Sequence, residues 1–178
     1  IFAIANLFIQ SGVNSFDTIM VSGNSAAANA DSIVYDVMAA FYIACATFIS
    51  QNYAANKKER TIPSYLISML YSFLFGLALG LSILLLGEQF LGLFTTSQEV
   101  IDAGMKRLQI LCYSYAFSAL MDNTIAASRG LGKTIVPTII VISGSCIFRI
   151  IWVYTIFTYF KTIPSLYLIY IVSWTITG

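Results

Sequence analysis

Five ionisable side chains stand in stretches otherwise too apolar to carry them: Asp17, Asp31, Asp36, Asp122 and Arg149. A carboxylate in a partly dry cavity can take up a proton or Na+ near neutral pH, which is the chemistry of ion coupling rather than of bond-making. A charge near the centre of a bilayer costs about 2.5–3.5 kcal/mol on insertion scales, so such residues pair with one another or mark an ion path. One pair between Arg149 and an aspartate accounts for only two of the five, and leaves three acids in segments with no other ionised partner.

Their spacing groups them with other polar side chains. Asn6, Gln10, Asn14 and Asp17 recur at intervals of four, four and three, which on one helix gathers them in a stripe about 80° wide. Asp31 shares a helical face with Tyr35 and Tyr42, and Asp36 shares another with Asn29 and Ser32. Asp31 falls near the outer end of its segment, where solvation or helix capping also explains it, and Asp36 is roughly 7.5 Å deeper. Tyr115, Ser118, Asp122 and Arg129 form a further stripe. Such stripes serve either as hydrogen-bonded contacts between helices or as the wall of a wet cavity. Four aligned polar side chains ending in a carboxylate favour the cavity.

The elements that must position these residues are membrane helices. Of 178 residues, 58% are hydrophobic and 10% charged, against about 25% charged in a typical soluble domain. The mean hydropathy is +0.83. Six hydrophobic segments are expected, at about 1–22, 27–54, 61–87, 103–128, 134–160 and 163–178. The predicted fold is therefore an all-α, polytopic six-helix transmembrane bundle occupying the whole chain, 1–178. It begins and ends within apolar runs, as expected of part of a longer protein.

A net charge of +1 gives no reason to expect nucleic acid, and the absence of histidine removes the commonest catalytic base and metal ligand. Cys45, Cys112 and Cys146 lack metal or redox spacing and read as packing residues. The stretch ASRGLGKT (Ala127–Thr134) has relaxed P-loop spacing, but a P-loop follows a buried strand. Here Leu108–Ser128 precedes it, twenty-one residues with one charge, about the length of a membrane span. The glycines are read as a turn between helices.

Thr61-Ile-Pro63, Thr134-Ile-Val-Pro137 and Thr162-Ile-Pro164 each place a capping threonine ahead of a proline, and Thr96-Ser-Gln-Glu99 has capping-box spacing. Lys57, Lys58, Arg60, Arg129 and Lys133 fall on one side of the membrane, and Lys106, Arg107 and Lys161 on the other. The positive-inside rule assigns the first set to the cytoplasm.

Four blocks carry a resemblance: VNSF (Val13–Phe16), GNSAAANADSIVYDVMAAFY (Gly23–Tyr42), TFISQNYAANKKER (Thr47–Arg60) and MDNTIAASRGLGKTIVP (Met121–Pro137). In order and spacing the chain resembles the C-terminal half of bacterial multidrug and toxic compound extrusion (MATE) transporters. The resemblance implies twelve helices in two six-helix lobes, of which this chain supplies helices seven to twelve and the N-terminal lobe is its partner. It also implies multi-pass placement in the bacterial inner (plasma) membrane and no cofactor beyond a transported H+ or Na+. Asp31, just after Asn29, and Asp122, seven residues before the Arg-Gly turn, match positions often acidic in that group. Gln51, Asn52 and the basic residues after them match the cytoplasmic turn following helix eight. The chain departs at Ser50, Ala54, Asn56 and Asp17, where glycine is common, and Asp36 matches no family position.

Residues and resemblance together point to a cation-coupled antiporter, not an enzyme, exporting amphipathic organic cations and drugs by alternating access. The coupling or substrate-binding residues would be Asp122, Asp31, Asp36, Asn14, Asp17, Asn29, Tyr35 and Arg149, with Na+ or H+ held at Asp122 or Asp31. A flippase for lipid-linked sugars would carry an excess of intramembrane cations, whereas here four Asp stand against one Arg. A membrane scaffold that transports nothing is the alternative from a different class.

Overall fold

The computed structural model describes residues 2–178, with side chains at the amino end from Ala5 onward. Ile1, where the first predicted segment starts, lies outside the described residues. Six helices follow one another: α1 (Phe2–Val13), α2 (Thr18–Ala54), α3 (Thr61–Leu91), α4 (Gln98–Gly130), α5 (Ile135–Phe160) and α6 (Ile163–Thr177). α2, α5 and α3 with the 3-10 turn leading into it (Lys58–Arg60) are each long and apolar enough to cross a membrane. The chain is an all-α membrane bundle.

The third to sixth segments match helices within a few residues, but the first two do not. The break lies at Asn14–Asp17, and α2 runs without interruption through residues 23–26, where a loop is expected from composition. At the break, polar side chains satisfy the backbone locally. The Ser15 hydroxyl donates to the Gly12 carbonyl at 2.7 Å, and Asp17 is the N-cap of α2, its carboxylate accepting from the Met20 amide at 2.8 Å. Gly23 does not break α2 because packing needs a glycine there. A Cβ on it would lie 2.6 Å from the Gly104 nitrogen of α4. Continuous α2 is about 55 Å long, so its ends extend beyond a hydrocarbon core about 30 Å thick.

α4 is the central helix, packed against α2, α3 and α6. α3 meets it along a seam of small residues, Ser72, Gly76 and Gly80, all buried. A Cβ at Gly80 would collide with the Cys112 carbonyl, and one at Gly76 would lie 3.3 Å from that of Tyr115. The backbones therefore approach as small-residue seams allow in membranes. The opposite face of α3 presents Leu70, Leu74, Leu81 and Leu85 outward, as lipid contact requires. The core between α2 and α4 holds Val34, Met38, Leu111 and Tyr115, and that between α1, α2 and α6 holds Ile9, Val13, Met20, Leu166 and Ile169.

Helix ends follow the predicted signals unevenly. Thr162 caps α6 through a capping box with Ser165. Thr134 occupies the N-cap of α5 without a side-chain bond, and the Thr61 hydroxyl instead donates to the Lys58 carbonyl at 2.7 Å. Ser97, not Thr96, is the N-cap of α4, and no side chain caps it, so the expected Thr96–Glu99 box is absent. Helix ends at a membrane surface can leave these amides to water.

α4 continues as helix to Gly130, with no strand before ASRGLGKT, and the reversal uses Gly132 at φ 79°. α5 is interrupted by two π-helical stretches, Ile142–Ile147 and Val153–Phe157, which flank the α-helical residues Phe148–Trp152. Its buried residues include Pro137, Val141, Ser145, Arg149, Val153 and Phe157. All three cysteines are free and buried.

Candidate functional site

Polar side chains from five helices surround a cavity of about 530 Å³. α2 supplies Asp31, Ser32, Tyr35, Asp36 and Tyr42, and α4 supplies Arg107, Ser118 and Asp122. Asn6 from α1, Arg149 from α5, and Tyr170 and Trp174 from α6 complete the polar and aromatic wall. The face of Asp31 and the face of Asp36 thus open on one space. Tyr35 stands edge-on to both Tyr115 and Trp174, with ring centroids 6.3 and 6.0 Å away.

Asp31 is neither solvated nor a helix cap. It is buried, pairs with Arg107 of α4 and accepts a hydrogen bond from the Tyr115 hydroxyl. It is the only ion pair among the described residues. Arg107 also donates to the Asn24 side chain, which accepts from the Tyr167 hydroxyl at 2.8 Å, and the Arg107 guanidinium lies 5.5 Å from the Tyr167 ring. The Asn24 amide reaches Gln10 at 3.3 Å, and Gln10 donates to Asn14 at 2.8 Å. One network therefore ties α1, α2, α4 and α6 together around a compensated charge.

Sequence reasoning misses Arg107 as a member of the site because it groups the residue with the loop cations outside the membrane. The signal is present: Arg107, Leu111, Tyr115, Ser118 and Asp122 follow one face of α4 at intervals of four, four, three and four. Moving Arg107 inward leaves Lys106 and Lys161 on that side, so the loop contrast is five cations to two. The aromatic face Tyr167, Tyr170 and Trp174 of α6 also has a readable helical spacing.

Other expectations need correction. Asn14 and Asp17 do not continue the stripe of Asn6 and Gln10, because α1 ends at Val13; Asn14 bonds back to Gln10 and Asp17 caps α2. Neither lines the cavity. Asn29 turns onto its own helix and donates to the Ser25 and Ala26 carbonyls at 3.2 and 3.3 Å. The charges around the cavity are three aspartates and two arginines, not four against one.

Asp122 is partly buried, and Ser118 one turn away donates to it at 3.0 Å. Asp36 is exposed to the cavity, and neither carboxylate has an ion-pair partner among the described residues. Arg149 is 2% exposed; it donates from Nε to Ser173 at 3.0 Å and from Nη1 to Asn6 at 3.4 Å. Its guanidinium lies 4.6 Å from the Tyr170 ring and 5.6 Å from that of Trp174. The cavity thus offers two free carboxylates and one arginine without a carboxylate, against aromatic walls inside a membrane bundle.

Comparison with known proteins gives this arrangement a context. The probable multidrug resistance protein NorM of Thermotoga maritima is 24% identical over 145 residues, covering 78% of this chain and 31% of that protein. The chain spans about a third of the length of the curated relative it matches. Residues 1–155, from α1 nearly to the end of α5, match the MatE family throughout, and the chain belongs to that family.

Proposed function

We propose that the chain forms helices seven to twelve of a cation-coupled antiporter, and that it exports amphipathic organic cations across the bacterial plasma membrane by alternating access. The observation that carries this reading is the pair of cavity carboxylates, Asp122 and Asp36, left without an ion-pair partner among the described residues. A carboxylate that faces a cavity open to one side of the membrane at a time can hold H+ or Na+ and give it up as an organic cation enters, since both compete for one charge. Tyr35, Tyr170 and Trp174 offer faces for the apolar body of such a cargo. An inorganic cation at Asp122 would also find the Ser118 hydroxyl oxygen. Asp31, already compensated by Arg107, acts in this reading by holding α4 in place.

The relative's description as a multidrug resistance protein supports export as the direction. The basic loops Lys57–Arg60 and Arg129–Lys133 face the cytoplasm in this orientation. A flippase for lipid-linked sugars is disfavoured because the cavity aspartates outnumber the arginines, although by three to two only.

The test is Asp122→Asn in the full-length transporter. Asparagine keeps the volume and removes the charge, so the variant is expected to reach the membrane in normal amounts and to fail to expel ethidium when a proton or sodium gradient is imposed. Wild-type efflux at matched expression in both Asp122→Asn and Asp36→Asn would move the coupling site to the other lobe.

A further inference from the structure

The central helix α4 has a second polar face. Its front carries Arg107, Ser118 and Asp122 to the cavity, and on the opposite side Asp102, Lys106, Gln109, Tyr113 and Phe117 are all exposed. Steps of four, three, four and four keep these five in one stripe. At Lys106 and Gln109 the stripe enters a separate furrow of about 540 Å³, which they share with Phe16 from the α1–α2 break and with Lys161, Thr162 and Ile163 at the α5–α6 connection. We propose that this furrow on the back of α4 binds an anionic glycerophospholipid, in the leaflet opposite the basic loops Lys57–Arg60 and Arg129–Lys133.

Charge complementarity sets the headgroup. Both lysines are exposed, and among the described residues neither has an ion-pair partner and no acidic side chain lines the furrow. Asp102, one turn outward from Lys106, accepts a hydrogen bond from Gln98 at 2.9 Å. Lys161 comes to the furrow from the reversal that ends α5, where its backbone is left-handed at φ 47°. The first turn of α6 forms part of the same wall, so the positive end of that helix adds to the two cations. A phosphodiester monoanion offsets this charge, whereas a choline or ethanolamine headgroup brings an ammonium of its own toward two lysines.

Depth and lining make the occupant a lipid and not a free phosphate. α4 has 33 residues and is about 50 Å long, so when centred it projects about 10 Å beyond each face of a hydrocarbon core about 30 Å thick. Lys106 is about 12 Å along the helix from Gln98, which puts it at the headgroup boundary. Phe16, Ile110, Ile163 and Pro164 give the furrow an apolar floor. Tyr113 and Phe117, 51% and 41% exposed, continue the stripe toward the bilayer centre. An acyl chain can follow these rings while its phosphate stays with the lysines.

The experiment titrates the purified full-length transporter in dodecyl maltoside with phosphatidylglycerol or phosphatidylcholine bearing the same tail-attached fluorophore, and follows anisotropy. A basic residue beside a lipid phosphate contributes about fivefold in affinity, so the wild type is expected to bind the glycerol lipid about 25-fold more tightly than the choline lipid. Lys106→Gln/Lys161→Gln is expected to bring the two within about threefold by weakening the glycerol lipid alone. Both lysines are exposed, and unchanged choline-lipid binding reports an intact fold. Lys57→Gln/Lys58→Gln removes the same charge from an opposite loop and is expected to change either Kd by no more than about twofold. An equal loss of glycerol-lipid binding in the two double variants overturns the site in favour of diffuse attraction. Displacement of the lipid by millimolar glycerol 3-phosphate overturns it in favour of a soluble anion. A wild type without headgroup preference also overturns the proposal, as when the other lobe covers the furrow.

Discussion

Removal of the Asp31 carboxylate tests whether the buried pair organises the bundle. In Asp31→Asn the volume is kept, but two donors, an Arg107 terminal nitrogen and the Tyr115 hydroxyl, converge where only one acceptor oxygen remains. The NH2 group of the substituted side chain must then face one of them. Arg107, 8% exposed, is left with the neutral Asn24 acceptors and the Tyr167 ring as its only compensation. Breaking a buried pair in this way costs about 3–5 kcal/mol, because the surviving charge is stranded. Arg107→Gln alone strands Asp31 with a comparable cost. The double variant removes both charges, so its loss is expected to be about half the sum of the two single losses or less, a coupling of at least about 3 kcal/mol. Unfolding of the full-length transporter in mixed SDS and detergent micelles, followed by tryptophan fluorescence, measures all three. Single losses below about 1 kcal/mol, the level of a solvent-exposed pair, or a double variant whose loss is the simple sum, would refute the argument.

Two other outcomes follow from the geometry. Gly80→Leu should lower folded yield sharply while leaving the drug profile of the surviving protein unchanged, since the new side chain meets the α4 backbone at Cys112 and not the cavity; normal yield with an altered efflux profile would reverse the assignment. Lys133→Ala should leave gradient-driven efflux nearly intact, because this exposed lysine lies in a turn after a helix. ATP binding to the purified transporter that disappears in the variant would restore the P-loop reading.

Much of the architecture is readable because apolar length is a strong signal. α3, α4, α5 and α6 lie close to the segments drawn from hydropathy, and Thr162 caps where its spacing says. The first connection is misplaced in the sequence because Gly23, Asn24 and Ser25 carry turn composition. Their polarity and small size are used inside α2, Gly23 for contact with α4 and Asn24 for the Arg107 network. Placing the break at residues 23–26 also carries the first polar stripe past the end of its helix and makes Asp17 look like a cavity residue. Asp31 and Asp122 are recognisable as intramembrane acids, but the partner of Asp31 is 76 residues away, and no local spacing reports a pairing across helices. Asp36 is found from its depth alone, and it does reach the cavity.

Six of the seven buried positions of α5, Pro137, Val141, Ser145, Arg149, Val153 and Phe157, recur every fourth residue, and the seventh, Cys146, adjoins Ser145. On an undistorted α-helix each step of four overshoots a full circle by about 40°, so five steps would carry the seam about 200° around, from the bundle interior to the lipid. The two π stretches reach one residue further for each hydrogen bond and turn less per residue, which cancels the accumulated rotation. The seam stays in phase along the whole helix. Arg149 lies between the two stretches, in the Phe148–Trp152 segment, so its direction depends on the winding of the backbone before it as much as on its place in the sequence. A helical wheel drawn at uniform pitch puts Pro137 and Phe157 on opposite sides of α5, while the folded helix keeps both on the inside.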